Sequence, residues 1–183
     1  MTENNPVIIF RPGHSGIGEV GAVFDPDGAG PEQARIEDDI AVAICMEAFN
    51  ELSRRGRPCV LLGGSRRLVV AAAESFESVR VVEVHCNIGK GDYAMVFHYP
   101  GSSKGMQVAM RVAAAMTAWK CRPLSAGADW SRVQYCLQPY FEMAGDRTGD
   151  LVEVGFLDGP VDVWTDAAVA RLGVALANGL MAL

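Results

Sequence analysis

The sequence predicts a single α/β domain whose mostly parallel sheet is flanked by helices on both faces. Short apolar runs alternate along the chain with longer segments whose apolar residues recur at helical spacing. The chain has 183 residues and is 50% hydrophobic, which is enough for one domain with its own core. No repeat, linker or low-complexity tract interrupts it, so we expect residues 1–183 to form one domain without an appended binding domain.

The predicted strands are short apolar runs bounded by turn residues, at residues 6–10, 58–62, 79–85, 93–99 and 151–156. Continuous apolar runs of this kind are typical of strands buried on both faces, as in a parallel sheet. The stretch 120–149 contains Pro123, Pro139 and several glycines, and it is predicted to be irregular. A long loop rich in glycine and proline is predicted between the first strand and the first helix.

The predicted helices span residues 36–55, 65–76, 102–119 and 162–183. In the first helix an apolar residue recurs every fourth position, at Ile36, Ile40, Ile44, Ala48 and Leu52. Acidic residues at its start and basic residues at its end complement the helix dipole. Gly56 is a suitable C-cap.

Composition excludes several classes of partner. The formal net charge of −6 argues against nucleic acid, which requires a basic face. Residues 1–5 lack the features of a signal peptide, and no apolar run reaches the roughly 18–20 residues of a transmembrane helix. We therefore expect synthesis in the cytoplasm and no stable membrane insertion. The five cysteines are scattered, which predicts reduced thiols, and the absence of a strong exposed apolar stripe predicts a monomer.

Two histidines and two glutamates stand in positions typical of a catalytic zinc site. His14 follows the first strand and His85 ends the third, while Glu37 opens the first helix and Glu153 lies within the last strand. Because an open α/β sheet binds ligands beyond the carboxyl ends of its strands, we expect these groups on one rim. Two histidines and one carboxylate leave a zinc position open for water, and a further acid can move protons.

Each of these residues also has a purely structural interpretation. His14 suits a glycine-rich turn, His85 suits a hydrogen-bonded strand end, and Glu37 suits the positive end of a helix dipole. Glu32 is an alternative carboxylate ligand. Glu153 is the hardest to explain by structure alone, because an unpaired carboxylate within a buried strand is costly.

The order of the motifs resembles a known enzyme family. The motifs are Pro12-Gly13-His14-Ser15-Gly16, Glu37 before an apolar helix, Val84-His85-Cys86-Asn87 and Leu151-Val152-Glu153-Val154-Gly155. Together they resemble the zinc-dependent N-acetylmuramoyl-L-alanine amidases of the Amidase_3 type, over nearly the whole chain. The resemblance implies a sheet of about six strands, zinc held by His14, Glu37 and His85, and Glu153 as the catalytic residue. The implied substrate is peptidoglycan, cut between N-acetylmuramic acid and the L-alanine of the stem peptide.

One position departs from the family near the expected site. Glu83 stands where these enzymes more often have a small hydroxyl residue. Because side chains alternate along a strand, Glu83 is expected on the same face as His85. Two outcomes are open: Glu83 accepts a hydrogen bond from a ligand imidazole, or it perturbs the site.

The biological setting is a further expectation. A chain without a signal peptide or a wall-binding domain suits a phage or prophage endolysin, which acts on the cell wall after phage-mediated release. An amidase that trims recycled wall fragments and a zinc peptidase acting on another amide are alternatives. An inactive amidase-like module with a peptidoglycan-binding or regulatory role is a third.

Overall fold

The computed structural model of the protein describes residues 5–14, 23–24, 35–127, 130–158 and 164–183. Its strands are β1 (Val7–Pro12), β2 (Val23–Phe24), β3 (Arg35–Ile36), β4 (Cys59–Leu61), β5 (Ser78–Asn87), β6 (Met95–His98), β7 (Arg122–Ser125) and β8 (Asp146–Phe156). Its α-helices are α1 (Glu37–Arg54), α2 (Arg66–Ala73), α3 (Ser103–Ala115), α4 (Ser131–Phe141) and α5 (Asp166–Met181). A short 3-10 helix, Thr117–Trp119, follows α3.

Six strands form the main sheet in the order β4-β1-β5-β8-β6-β7. The strands β4, β1, β5 and β8 run parallel to their neighbours, whereas β6 is antiparallel to β8 and parallel to β7. This confirms the predicted, mostly parallel sheet. The register places Arg11 beside Glu83 on β1 and β5, and His85 beside Glu153 on β5 and β8.

Helices cover both faces of the sheet, as predicted. One face packs against α1, α3 and α5 through buried residues such as Phe10, Val82 and Val152. The other face packs against α2 and α4 through Ile9, Val81 and their neighbours. Because residues alternate along a strand, Arg11, Glu83, His85 and Glu153 project toward the face that carries α2 and α4.

Hydroxyl side chains cap three of the helices. The side chains of Ser65, Ser102 and Thr165 accept hydrogen bonds from backbone N–H groups in the first turns of α2, α3 and α5. These caps satisfy amide groups that have no partner within the helix. The helix α1 has no side-chain cap, but acidic residues fill its first turn, where they complement the dipole.

The prediction of an irregular stretch over 120–149 is wrong. It contains β7, α4 and the first residues of β8, which begins at Asp146 rather than Leu151. Two prolines masked the pattern, since Pro123 lies in an edge strand and Pro139 lies near the end of α4. The outer side of an edge strand needs no donor, so Pro123 fits there. Pro139 removes one i→i−4 hydrogen bond of α4, which continues for only two residues beyond it.

Other differences concern element ends. The helix predicted to reach Trp119 ends as an α-helix at Ala115. Within the predicted loop after β1, β2 and β3 form a short antiparallel pair, and the rest of that loop lies outside the described residues. Residues 162–163, where the last helix was expected to begin, also lie outside them.

All five cysteines are free thiols, as the sequence predicted. Burial raises the pKa of the Cys45 and Cys86 thiols well above the usual range, so both are neutral. Of the helices that the structure describes, none combines the length and apolar character needed to cross a membrane.

Candidate metal centre

Three of the sequence-predicted residues meet at the carboxyl end of the sheet. One possible ligand atom from each of His14, Glu37 and His85 lies within 4.8 Å of the others. Glu37 Oε1 is 2.9 Å from His85 Nδ1 and 3.5 Å from His14 Nε2. The two imidazole rings are edge-on, with their centroids 5.0 Å apart. The residues come from the end of β1, the start of α1 and the end of β5.

A tight turn after β1 brings His14 over the site. His14 adopts a left-handed backbone conformation, with φ of 56°. Gly13 donates its N–H to the Val84 carbonyl, 2.7 Å away, which holds the turn against β5. A Cβ atom on Gly13 would lie 2.4 Å from His85 Nδ1, so only glycine lets the backbone pass this close to the ring.

Glu37 links α1 to β5. It is the first residue of α1, and its side chain is buried. Besides the histidines, its Oε1 accepts a hydrogen bond from the backbone N–H of Cys86, at 3.2 Å. His85 is buried as well, whereas the His14 side chain is 37% exposed. Within the part of the chain that the structure describes, the cluster is therefore open to solvent on the His14 side.

Glu153 lies next to His85 on the neighbouring strand. Its Oε2 is buried and has no hydrogen-bond partner among the residues that the structure describes. Burial is the main reason that the pKa of Glu153 rises to about 7; the charge of His85 opposes the rise, and those of Glu37 and Glu83 add to it. Near neutral pH this carboxyl group can both accept and donate a proton.

His85 is held by carboxylates on both of its ring nitrogens. Nδ1 contacts Glu37, and Nε2 is 2.7 Å from Glu83 Oε1. Burial disfavours charge on the ring, but the hydrogen bonds to Glu37 and Glu83 outweigh it and raise the pKa of His85 to about 9. In the absence of a cation the ring is thus charged at neutral pH, and a cation that binds there must displace a proton.

Glu83 lies at the centre of a buried polar cluster that the sequence did not predict. Its side chain is fully buried, 2.7 Å from Arg11 Nη1. Arg66 donates from Nε and Nη2 to its two oxygens, and Tyr140 donates from Oη to Oε2 at 2.7 Å. Burial opposes ionisation, but His85 and the two guanidinium groups lower the pKa of Glu83 to about 2.

Only one of the three partners of Glu83 can be recognised from the sequence. Arg11 sits at an inward-facing position of an apolar strand, which already indicates that it needs a buried partner. Arg66 and Tyr140 carry no such signal, because only the packing of α2 and α4 on the sheet brings them to Glu83.

The residues present fit a zinc ion. Two imidazole nitrogens and one carboxylate oxygen form a donor set that zinc accepts while keeping a position open. The unpartnered Oε2 of Glu153 borders the same cluster, where a water or a substrate group would be stabilised. Glu32, the alternative ligand, lies outside the described residues.

The remaining histidine stays outside the cluster. His98 ends β6, which runs antiparallel to β8, so its register partner is Asp150 rather than Glu153. Its Nδ1 is 3.1 Å from the carbonyl of Tyr99. His98 is therefore suitable as a control for substitutions of His14 or His85.

A cleft opens beside the end of β8. It is lined by Gly91, Asp92, Tyr93, Ala118, Trp119, Lys120, Val154, Gly155 and Phe156. The loop at one side is held by Asp158, whose carboxylate accepts hydrogen bonds from the N–H groups of Gly89 and Lys90. Aromatic side chains and backbone groups together form a wall at the same rim of the sheet as Glu153.

Solved structures of amidases share this fold. No protein-family model and no curated protein matches the sequence. Cwp6 from Clostridium difficile superimposes with a TM-score of 0.73 at 15% identity; the match covers 97% of this chain but only 29% of Cwp6. The N-acetylmuramoyl-L-alanine amidase AmiC2 of Nostoc punctiforme matches with a TM-score of 0.68 at 19% identity, covering 97% of this chain and 96% of AmiC2.

An endolysin catalytic domain is similar too. The catalytic domain of the CD27L endolysin, which targets Clostridium difficile, has a TM-score of 0.58 and 15% identity. The match covers 94% of this chain and 96% of that domain. These similarities confirm the fold that the motifs predict: this protein has the fold of the N-acetylmuramoyl-L-alanine amidases.

Proposed function

We propose that this protein is a zinc-dependent N-acetylmuramoyl-L-alanine amidase. It would hydrolyse the amide between N-acetylmuramic acid and the L-alanine of the peptidoglycan stem peptide. One observation carries the proposal: His14, Glu37 and His85 cluster at the carboxyl end of the sheet beside Glu153, whose buried Oε2 has no hydrogen-bond partner among the described residues. That the fold is shared with AmiC2, a protein named for this activity, adds support.

In this proposal His14, Glu37 and His85 hold the zinc ion. When bound, zinc supplies a Lewis acid for the scissile carbonyl and lowers the pKa of water to about 7. Glu37 is fixed by the backbone of β5 and His85 by two carboxylates, so both donors are oriented in advance. His14, which is partly exposed, lies on the side from which substrate enters.

Glu153 is proposed as the general base and acid. It would take the proton of the attacking water and pass it to the leaving nitrogen of L-alanine. A pKa of about 7 suits both steps, because proton transfer is most effective when the group titrates near the working pH. The cleft beside Tyr93 and Trp119 is the proposed place for the adjoining part of the substrate.

We further propose that the protein acts on the cell wall as a phage or prophage endolysin, and as a monomer. The similarity to the CD27L catalytic domain supports this setting. An enzyme of wall recycling would differ in preferring small soluble fragments over intact wall. Comparing the two substrates in one assay separates the settings.

The deciding experiment is digestion of purified peptidoglycan, with products identified by mass spectrometry. We expect intact glycan strands and stem peptides with a free L-alanine amino terminus, formed with zinc and lost with a chelator. The variant Glu153→Gln keeps the shape of the site but cannot move the proton, so we expect activity to fall about 10²- to 10⁴-fold. The variant His98→Gln is the control and should stay active.

Other products would overturn the proposal. A new peptide terminus inside the stem would identify a zinc peptidase. Zinc binding or wall binding without any cleavage would identify an inactive peptidoglycan-binding or regulatory module. Cleavage that survives both the chelator and Glu153→Gln would contradict the proposed site.

A further inference from the structure

The cluster around Glu83 is more than the fold requires. A fully buried carboxylate with two guanidinium groups carries a large desolvation cost, and apolar residues of similar size would stabilise a core equally well. Its members come from four elements: β1, α2, β5 and α4. The central carboxylate, Glu83, also contacts His85 of the candidate metal centre, so the cluster is placed to fix the position of that ring.

The charges decide the direction of that contact. Arg11 and Arg66 both lie against Glu83, and Tyr140 donates to it, so the carboxylate is ionised and can only accept hydrogen bonds. Its contact with His85 Nε2, at 2.7 Å, must then be an N–H donated by the ring. A neutral imidazole with a proton on Nε2 has its lone pair on Nδ1.

The free lone pair is on the ring nitrogen that faces Glu37. Nδ1 is the atom of His85 that lies 2.9 Å from Glu37 Oε1, inside the cluster of donors. Gly13 packs against the same ring, where an added Cβ would lie 2.4 Å from Nδ1 and 2.7 Å from Nε2, so the ring has little room to turn. The contact with Glu83 and the close approach of Gly13 together select one orientation of the ring.

We propose that Glu83, held by Arg11, Arg66 and Tyr140, is a positioning residue that presents Nδ1 of His85 to the metal. The inference rests on the metal site of the proposed function. It assigns Nδ1 as the donor atom of His85 and gives Glu83 a role that the sequence alone leaves open. Carboxylates behind a ligand imidazole orient the ring and increase its basicity.

The test uses the purified protein, wild type and three variants. Glu83→Gln removes the charge behind His85, and Tyr140→Phe removes one hydrogen bond to Glu83 while keeping the aromatic ring in the core. Asp146→Asn is the matched control, because it removes a carboxylate paired with Arg80 at the opposite end of the sheet. Zinc affinity is measured by competition with a chromophoric chelator.

Glu83→Gln is expected to weaken zinc binding about 10- to 100-fold, Tyr140→Phe by a smaller factor, and Asp146→Asn not at all. Cobalt-loaded protein gives a second readout, since its visible absorption reports the ligand geometry and should change in Glu83→Gln. Nitrogen-15 spectra of the histidine rings in the zinc-loaded wild type should show His85 protonated at Nε2. That measurement decides the question even if Glu83→Gln does not fold.

The two proposals fail in different ways. If the wild type binds no zinc, the proposed metal site and this inference are both wrong. If the wild type binds zinc and cuts peptidoglycan but His85 carries its proton on Nδ1, only the role of Glu83 is overturned. Unchanged zinc affinity in both Glu83→Gln and Tyr140→Phe overturns it as well.

Discussion

Gly13 brings the backbone of the turn after β1 against the imidazole of His85. A methyl group at this position would lie 2.4 Å from Cε1 and Nδ1 of the ring. His85 cannot move aside without losing Glu37 or Glu83. We therefore predict that Gly13→Ala weakens zinc binding about 10- to 100-fold while the chain still folds, as measured by chelator competition and circular dichroism.

Gly127→Ala provides the matched control for that substitution. Among the residues that the structure describes, none comes within 4 Å of a Cβ atom placed on Gly127, so the zinc affinity of this variant should equal that of the wild type. If Gly13→Ala bound zinc as tightly as the wild type, the His85 ring could move aside without any loss of affinity. That result would contradict the proposal that His85 is a zinc ligand held in one orientation.

Asp150 is a buried acid outside the site. It is fully buried, and neither side-chain oxygen has a hydrogen-bond partner among the residues that the structure describes. Burial raises the pKa of Asp150 well above its usual value, with Arg80 opposing the rise. Because the folded state then holds a proton that the unfolded state releases, Asp150 lowers the stability as pH rises above its unfolded pKa of about 3.9.

The substitution Asp150→Asn removes this pH dependence. We predict that the variant gains stability over the wild type from about pH 4 upward, by at most about 1.4 kcal/mol per pH unit. The gain stops growing once the pH passes the folded-state pKa of Asp150. Urea unfolding of both proteins between pH 4 and pH 8 measures it. A difference that stays constant over this range would mean that Asp150 is not the titrating group.

At the scale of single residues, the sequence was informative where function sets the residue type. His14, Glu37, His85 and Glu153 stand near strand or helix ends, and the rule that carboxyl ends of parallel strands share one rim brings them together. The partners of Glu83 could not be predicted in the same way. Their contacts depend on how α2 and α4 pack on the sheet, which no local pattern encodes.

Among the elements, α5 approaches its neighbours more closely than ordinary side chains allow. A Cβ atom on Gly179 would lie 2.7 Å from Val112 Cα of α3, and one on Gly173 would lie 2.9 Å from the Ile44 carbonyl of α1. These contacts are with backbone atoms, which cannot rotate away. The two glycines therefore set the distances between α5 and the helices on either side.

We predict that Gly179→Ala destabilises the protein by about 1–3 kcal/mol, because α3 and α5 must separate. For a chain of this length each kcal/mol lowers Tm by about 2–4 °C. Thermal unfolding measures the change. Arg171→Ala, on an exposed position of the same helix, is the control and should stay within about 0.5 kcal/mol of the wild type.

The elements that the sequence predicted well are those in which apolar residues follow a clear pattern along the chain. The regular spacing of apolar residues in α1, the apolar run that begins β1 and the valine-rich sequence of β5 each favour one type of element. The helix α4 was missed although Leu137 and Tyr140 are spaced for one buried face, because Pro139 lies between them. The strand β7 was missed because it is mostly exposed and has no apolar alternation.

For the whole molecule, zinc is expected to act as a stabilising ligand. A ligand that binds only the folded state at 100 times its Kd adds about 2.7 kcal/mol. For a chain of this size we therefore predict a rise in Tm of about 5–10 °C on adding zinc, reversed by a chelator. The variant Glu37→Ala should lose most of this rise. An equal rise in that variant would place the bound zinc elsewhere on the chain.

Whole-molecule architecture followed from the sequence to a large extent. Strands that alternate with helices require crossover connections, and these favour a parallel sheet covered on both faces. The antiparallel direction of β6 was not predicted, because strand direction depends on how the chain crosses between elements rather than on local composition. The motifs nevertheless predicted the amidase fold that the solved structures share.

The outer edge of β7 affects the tendency of this protein to aggregate at high concentration. The N–H groups of Arg122 and Ala126 point inward to carbonyls of Ala94 and His98, so position 123 faces outward. Pro123 has no N–H to offer there, and the Ser125 carbonyl already accepts from Gly127 at 2.8 Å. A strand from another molecule thus finds few groups to pair with. This edge is protected against the strand-to-strand stacking that begins aggregation.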